Sequence, residues 1–324
     1  MSPARRPFRK GTRPLSETHF VASLVETPLQ ATDSVSEDSK PSNLYIDAWR
    51  DARRRPLFWI SGVFIVLVIV VSVFPGLFTQ IDPTRCDLGL SNNGASAAHI
   101  LGTTKQGCDV YARIIFGTST SLTVGIVATV INTFIGVIFG ALGGFFGRWV
   151  DAILSRIGDI FFAIPYFLAA VVIMSVFLQY RYVFVIALAI GAFSWPGTAR
   201  ILRGQVLSVK NADYVTSATA LGVGRLTILW RHVLPNSIAP VIVVTTIGLA
   251  GAIVAEATLS FLGVGLPPSV MSWGNDISTA QRDLRNNPMT LVWPSIALTS
   301  TVLAFVVMGE VIRDALDPKA RARR

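Results

Sequence analysis

The chain of 324 residues is far more apolar than a soluble protein of its size. Hydrophobic residues make up 52% of it and charged residues only 15%, whereas soluble chains carry about 25% charged residues. Because so few charges cannot cover a surface that faces water, the composition excludes a soluble protein and indicates an integral membrane protein. The net charge of +9 requires no nucleic acid partner, since basic residues beside anionic lipid headgroups explain the same bias.

Six long apolar runs without charge predict the transmembrane helices. A helix of about 20 residues crosses a hydrocarbon core of about 30 Å. The runs cover residues 57–78, 114–146, 160–180, 182–199, 233–255 and 286–309. The second run is longer than one crossing requires, so we expect part of it, around 117–121, to lie outside the hydrocarbon. The sequence therefore predicts an all-α integral membrane protein with six transmembrane helices.

The distribution of Lys and Arg predicts the orientation in the membrane. Cytoplasmic segments retain basic residues near the ends of the spans. If the amino terminus is cytoplasmic, 22 of the 28 Lys and Arg residues lie in cytoplasmic segments. Both termini are therefore predicted to be cytoplasmic.

The residues before the first run divide into two parts. Residues 1–44 are polar and lack periodicity, which predicts a disordered cytoplasmic tail. No secretory signal peptide is apparent in them. Residues 45–56 carry Tyr45, Trp49 and Ala52 at helical spacing, followed by three Arg residues. This pattern predicts a juxtamembrane interfacial helix on the inner leaflet, and a plain positive-inside anchor explains it equally well.

Two cysteines, Cys86 and Cys108, are the only ones in the chain. Both lie in the loop between the first two runs, which the charge distribution places outside the cell. Paired thiols are favoured in an oxidising compartment. We therefore predict a disulfide bond between Cys86 and Cys108.

The sequence lacks the motifs of the common active sites. A P-loop has Gly directly before its Lys, whereas the five Lys residues here follow Arg, Ser, Thr, Val and Pro. The three His residues fall in segments predicted on different sides of the membrane, which excludes a zinc cluster. A Gly-x-Ser-x-Gly motif is also absent. We predict that this chain is not an enzyme and has no catalytic residue, no metal site and no bound cofactor.

Glu256 is the one acidic residue that interrupts an apolar run away from its cytoplasmic end. Charges within spans are usually paired, and they also mark transport pathways. Glu256 lies near the outer end of the fifth run. It is therefore a candidate either for pairing with a partner helix or for contact with a substrate in a pathway.

The segment 200–235 is the one sizeable loop predicted on the cytoplasmic side between spans. Asn211 and Asp213 are helix-capping residue types, and Gly222 suits a left-handed helix end. Between them Tyr214, Ala218 and Leu221 recur at helical spacing. The pattern predicts a short amphipathic helix, which suits a membrane surface and a docking site on another protein equally well.

The same segment resembles the EAA loop in the permease subunits of bacterial ABC importers. The resemblance rests on the spacing of Thr216, Ser217, Ala218, Gly222, His232, Leu234 and Pro235. Thr216 stands where the motif usually has Glu. Three further stretches, His99–Gly125, Glu256–Asn275 and Arg313–Arg321, resemble C-type permease subunits of dipeptide, oligopeptide and nickel importers. In the first of them Thr104 and Cys108 replace the usual Asp and Arg.

The resemblance implies a type I ABC importer permease fold. Residues 57–112 would be the first span and external loop, 113–313 the transmembrane domain with coupling loop 200–235, and 314–324 a cytoplasmic tail. The implied partners are a second permease, two cytoplasmic ATPases that hold ATP and Mg, and an external protein that delivers peptide. In the family the short helix sits in a groove of the ATPase. Tyr214, Ala218 and Leu221 would form its contact face, with Asp213 at its start and Gly222 at its exit.

Other functions remain open at this stage. Nickel import is the nearest alternative within the family. An ion-coupled secondary transporter or channel would transport without ATP, and a membrane scaffold would not transport at all. Gly136, Gly140 and Gly144 predict close helix packing, either within the chain or against the second permease.

Overall fold

The computed structural model describes residues 44–180 and 182–316. The predictions for the tail before residue 44 and for residues 317–324 lie outside these ranges. Within them the regular structure is helical. The α-helices are α1 Leu44–Ala52, α2 Pro56–Val73, α3 Val110–Phe146, α4 Arg148–Ala163, α5 Tyr166–Val176, α6 Val183–Val209, α7 Asp213–Ala220, α8 Arg225–Ile228, α9 Leu234–Ser237, α10 Ala239–Phe261, α11 Trp273–Gln281 and α12 Met289–Leu316. A π-helix, Leu229–Val233, connects α8 to α9.

Five helices are long and apolar enough to cross a membrane, namely α2, α3, α6, α10 and α12. The pair α4 and α5, bent by 73°, supplies the sixth candidate span. The bend lies at Ile164 and Pro165, where Ile164 has φ −92° and ψ 117°. A residue before proline avoids the helical region, which explains the break. The prediction of six spans agrees with the structure if this bent pair is counted as the third span, which is then not one straight helix.

Helix α3 runs for 37 residues without a break. At 1.5 Å per residue its length is about 55 Å, well above the thickness of a hydrocarbon core. Residues 117–121 belong to the continuous helix. A Cβ atom on Gly117 would lie 3.4 Å from the backbone of Ser272, so this part of α3 packs beneath the loop that follows α10.

Helices α3 and α6 pack closely through the three glycines of α3. A Cβ on Gly136 would lie 2.7 Å from Cβ of Thr198, and one on Gly140 would lie 2.6 Å from the carbonyl oxygen of Ala199. A Cβ on Gly144 would lie 2.8 Å from Val206. All three partners belong to α6. The structure therefore confirms packing within the chain and not against a second permease.

Side-chain contacts define the two ends of the helix bundle. At one end, which we call the terminal face, Arg55 before α2 donates to Asp314 of α12 across 2.6 Å. At the other end, which we call the disulfide face, Asn287 donates to the carbonyl oxygen of Thr103 across 3.3 Å. Helix α1 lies at the terminal face, where Ala48 is buried against Val311. The placement of α1 on a membrane surface stays a prediction.

Candidate functional site

Helix α7 lies at the terminal face, directly after α6. The preceding residue, Ala212, is extended and gives no side-chain cap. Asn211 does not cap α7, because its amide donates to the carbonyl oxygen of Leu207 in α6 across 3.2 Å. Asp213 is the first residue of α7, where its charge suits the positive end of the helix dipole. The predicted helix is present, and its capping differs from the prediction at Asn211.

The end of α7 is a left-handed turn at Gly222, as predicted. Gly222 has φ +80°. Its amide donates to Thr219 across 3.0 Å, and the amide of Val223 donates to Ala218 across 3.2 Å. This pair of bonds is the Schellman motif, which satisfies the last carbonyls of a helix. A Cβ on Gly222 would meet no atom within 4 Å, so the positive φ alone requires glycine here.

One face of α7 is buried within the chain. Val215 and Ala218 are 4% and 9% exposed and join the apolar cluster that includes Leu202, Leu229 and Val233. The family resemblance places Ala218 in the contact face with the ATPase, and in this chain alone its side chain is covered by the bundle. Residues three apart share a helix face, so Ala218 lies beside Val215 and against α6 and the π-helix. Val215 was not predicted to share this face, although its spacing from Ala218 is a helical signal.

Beside the buried residues of α7 lies a part of the helix surface that the rest of the described chain leaves exposed. Tyr214 and Leu221 are 45% and 84% exposed, and Ser217 between them is also exposed. Their spacing of three and four residues places them along one side of the helix. We call Tyr214, Ser217 and Leu221 the exposed stripe of α7. Thr216 is exposed as well. The stripe therefore exposes two large apolar side chains, those of Tyr214 and Leu221.

The chain returns from α7 to α10 through α8, the π-helix and α9. His232 and Leu234 are half-buried there, and Pro235 is exposed. Leu226 and Trp230 are also exposed, one helical turn apart, and the sequence analysis did not single them out. Helix α8, which carries Leu226, contacts α7. π-Helices are rare and are frequent at functional sites.

Ion pairs and hydrogen bonds hold the base of this segment. Lys210, at the end of α6, donates to the carbonyl oxygen of Gly144 across 2.8 Å. Arg203 of α6 binds both carboxylate oxygens of Asp151 in α4, with its outer nitrogen 2.6 Å from Oδ2. Such two-point pairs fix geometry as well as charge. The segment therefore leaves the bundle from a rigid base.

The predicted disulfide is present at the other end of the molecule. The sulfur atoms of Cys86 and Cys108 are 2.02 Å apart. The bond closes the long loop between α2 and α3. It also lines a cavity of about 410 Å³ at the disulfide face, together with Arg113, Asp276 and Asp283. Burial raises the pKa of the Asp276 carboxyl, and the neighbouring Arg113 opposes that effect.

Glu256 is fully buried, with 0% of its surface exposed. Ser121 of α3 donates to Oε2 of Glu256 across 3.0 Å, and Ser260 donates to Oε1 across 2.9 Å. The hydroxyl of Ser272 also lies near this carboxyl. Within the residues that the structure describes, no Lys, Arg or His side chain forms an ion pair with Glu256. With no exposed surface, Glu256 contacts neither a second chain nor a substrate in this conformation.

The three serines also bind the backbone of the loop between α10 and α12. Ser121 accepts from the amide of Trp273 across 3.2 Å, and Ser260 accepts from the amide of Leu266 across 3.3 Å. Ser272 accepts from the amide of Asn275 across 3.2 Å. We call Glu256 and these serines the Glu256 cluster. It fastens the loop at the disulfide face to α3 and α10.

Comparisons with known proteins agree with this architecture. Residues 132–322 match the family model described as a binding-protein-dependent transport system inner membrane component. Residues 43–95 match the N-terminal TM domain of oligopeptide transport permease C. The first match includes α7 and, from the Glu256 cluster, Glu256, Ser260 and Ser272. The second includes α1 and α2.

Individual relatives match along nearly the whole chain. The chain is 35% identical over 293 residues to the glutathione transport system permease protein GsiD of Pectobacterium atrosepticum, which covers 90% of this chain and 97% of the relative. It is 34% identical over 295 residues to the oligopeptide transport system permease protein OppC of Bacillus subtilis, and the match covers 90% of this chain and 96% of that relative. A GsiD of Escherichia coli O157:H7 is 36% identical over 274 residues, and the match covers 84% of this chain and 90% of that relative.

The helical fold and these matches identify the class of the protein. It is a multi-pass protein of the inner membrane with the type I permease fold of ABC importers. The chain belongs to the family of binding-protein-dependent transport system inner membrane components.

Proposed function

We propose that this chain is the permease subunit of an ATP-driven importer that moves peptides from an external binding protein into the cytoplasm. The observation that carries the proposal is the likeness, over nine tenths of the chain, to permeases named for oligopeptide and glutathione transport. The match of residues 43–95 to the N-terminal domain of an oligopeptide permease supports the same substrate class. These names favour peptides over nickel as the cargo.

ATP hydrolysis belongs to other chains in this proposal. None of the Lys residues follows Gly, so the sequence has no P-loop of its own. Two ATPase subunits that hold ATP and Mg would bind at the terminal face, and a second permease would complete the transport path between the two permeases. The external binding protein would dock at the disulfide face, where the loop of residues 262–288 lies.

The exposed stripe of α7 is the proposed contact with an ATPase. Tyr214 and Leu221 offer apolar surface, while Val215 and Ala218 attach the helix to the bundle. Because the buried face is well packed, a displacement of α7 is transmitted to α6 and α10. Coupling of this kind needs an element with two arrangements that both sites bias. Gly222, His232, Leu234 and Pro235 shape the return of the chain to α10.

The terminal face is the cytoplasmic side in this proposal. Helix α1, the base of α7 and the end of α12 all lie there. The assignment places 22 of the 28 Lys and Arg residues in cytoplasmic segments. That distribution follows the positive-inside rule. Both termini would then be cytoplasmic.

Transport by the reconstituted complex tests the proposal. The chain, its second permease, the ATPases and the binding protein are placed in vesicles, and uptake of a labelled peptide is measured with and without ATP. We expect uptake only when ATP and the binding protein are both present. Uptake by the isolated chain under an ion gradient, without ATP, would instead identify a secondary transporter.

A further inference from the structure

Helix α1 contacts two parts of the chain that are far apart in sequence. On one side Ala48 and Ala52 are buried against Val311 and Ala315 of α12. Small residues at this spacing allow two helices to approach closely. The end of α1 is fastened again by Arg55, which binds Asp51 within the same segment and Asp314 of α12. Helix α1 is therefore fixed to the end of the last span.

At its other end α1 contacts the segment that returns from α7. The hydroxyl of Tyr45 donates to the carbonyl oxygen of Pro235 across 2.7 Å, although the two residues are 190 positions apart. Partial burial raises the pKa of the Tyr45 hydroxyl, so this group keeps the proton that it donates. The contact joins α1 to the stretch between α7 and α10.

The backbone at Pro235 requires such a donor for a physical reason. Helix α9 ends at Ser237 and α10 begins at Ala239, so the helix is interrupted here. Pro240 also has no amide hydrogen, so the carbonyl of Asn236, four residues before it, lacks its helical donor, and the proline ring disturbs the backbone of this turn. Carbonyl groups beside a helix break need donors from elsewhere. Tyr45 supplies one of these donors, and it does so from a separate helix.

We infer that α1 is a brace that sets the position of the α7 segment relative to the last span, with Tyr45 as its positioning residue. The inference rests on the proposed coupling role of α7. When an ATPase moves α7, the Tyr45 contact would carry part of that movement to α12 through α1. Without it, α7 could move while the last span stays in place, and ATP would be hydrolysed with less transport.

The substitution Tyr45→Phe tests the brace, because it removes the hydroxyl and keeps the ring. Tyr182→Phe is the matched control, since Tyr182 is an exposed tyrosine at the start of α6, far from α7 in the chain. Both variants are reconstituted in the full complex. One measurement is peptide uptake per ATP hydrolysed, and the other is amide hydrogen exchange of residues 236–242.

We expect Tyr45→Phe to raise exchange in residues 236–242 and to lower uptake per ATP, each by roughly two- to tenfold, the range set by one hydrogen bond. Tyr182→Phe should change neither. If exchange in residues 236–242 is unchanged, the Tyr45–Pro235 contact is overturned, whatever happens to uptake. If exchange rises while uptake per ATP stays the same, the positioning role of Tyr45 is overturned. If the wild-type complex itself shows no ATP-driven uptake, the proposed function fails, and the exchange result still judges the contact.

Discussion

Ser121 and Glu256 are 135 positions apart, and the hydroxyl of Ser121 lies 3.0 Å from the carboxylate of Glu256 in a fully buried site. The same hydroxyl accepts the amide of Trp273 from the loop at the disulfide face. Three segments of the chain thus meet at one side chain. A buried carboxyl is costly unless its oxygens are hydrogen-bonded, and the serines meet that requirement.

Glu256→Ala should destabilise the protein by about 2–4 kcal/mol, because it leaves buried hydroxyl groups without their acceptor. Thermal unfolding in detergent measures the effect. Glu310→Ala is the control, since Glu310 is an exposed glutamate at the far end of another span and its pair with Arg313 spans 3.8 Å. We expect the control to lie within about 0.5 kcal/mol of the wild type. Equal unfolding temperatures for the two variants would contradict the role of the cluster.

Gly222→Val should reduce ATP-driven peptide uptake while the protein still inserts in the membrane. A β-branched residue at positive φ costs about 1–3 kcal/mol, and the turn that ends α7 would shift to relieve it. Gly204→Val is the control, because both sites have open space around the added Cβ and only Gly222 has a positive φ. Uptake and membrane insertion are measured for both variants. A similar loss of uptake in the two would show that the backbone conformation at Gly222 is not the cause.

Leu221→Cys should crosslink to an ATPase subunit that carries a cysteine in its docking groove. Leu221 is 84% exposed, whereas Ala218 is buried against the bundle. Ala218→Cys is therefore the matched negative control on the same helix. The natural cysteines do not interfere, since both are in the disulfide. Crosslinking of position 218 in preference to 221 would show that the ATPase binds the part of α7 that is buried against the bundle in this structure.

Gly140→Ala and Gly251→Ala should have opposite effects on stability. An added Cβ at Gly140 would lie 2.6 Å from a backbone oxygen of α6, whereas one at Gly251 would meet no atom within 4 Å. Overpacking costs about 1–3 kcal/mol, and a tolerated Gly to Ala change in a helix gains about 0.5–1 kcal/mol. Thermal unfolding of the two variants shows whether each substitution lowers or raises the stability of the protein. A gain for Gly140→Ala would show that α3 and α6 are less closely packed than described.

The sequence alone was sufficient to predict those structural features whose physical cause lies within a short stretch of the chain. Runs of apolar residues predict the spans, because each backbone group in a membrane must be satisfied within its own helix. Gly222 was predicted as the end of α7 from a local cause as well. The left-handed turn that ends a helix requires a positive φ at one residue, and glycine adopts it without strain. The family resemblance added the fold and the coupling role, and the comparisons confirmed the family.

The tertiary structure decided which faces of those helices are covered. The sequence of α7 does not predict that Ala218 is buried while Leu221 is exposed, because both are apolar and they lie three residues apart, on neighbouring parts of the helix surface. The neighbouring α6 and π-helix bury one side and leave the other free. The contact of Glu256 with Ser121 and the contact of Tyr45 with Pro235 were also decided there. Each joins residues more than a hundred positions apart, so only the packed bundle brings them together.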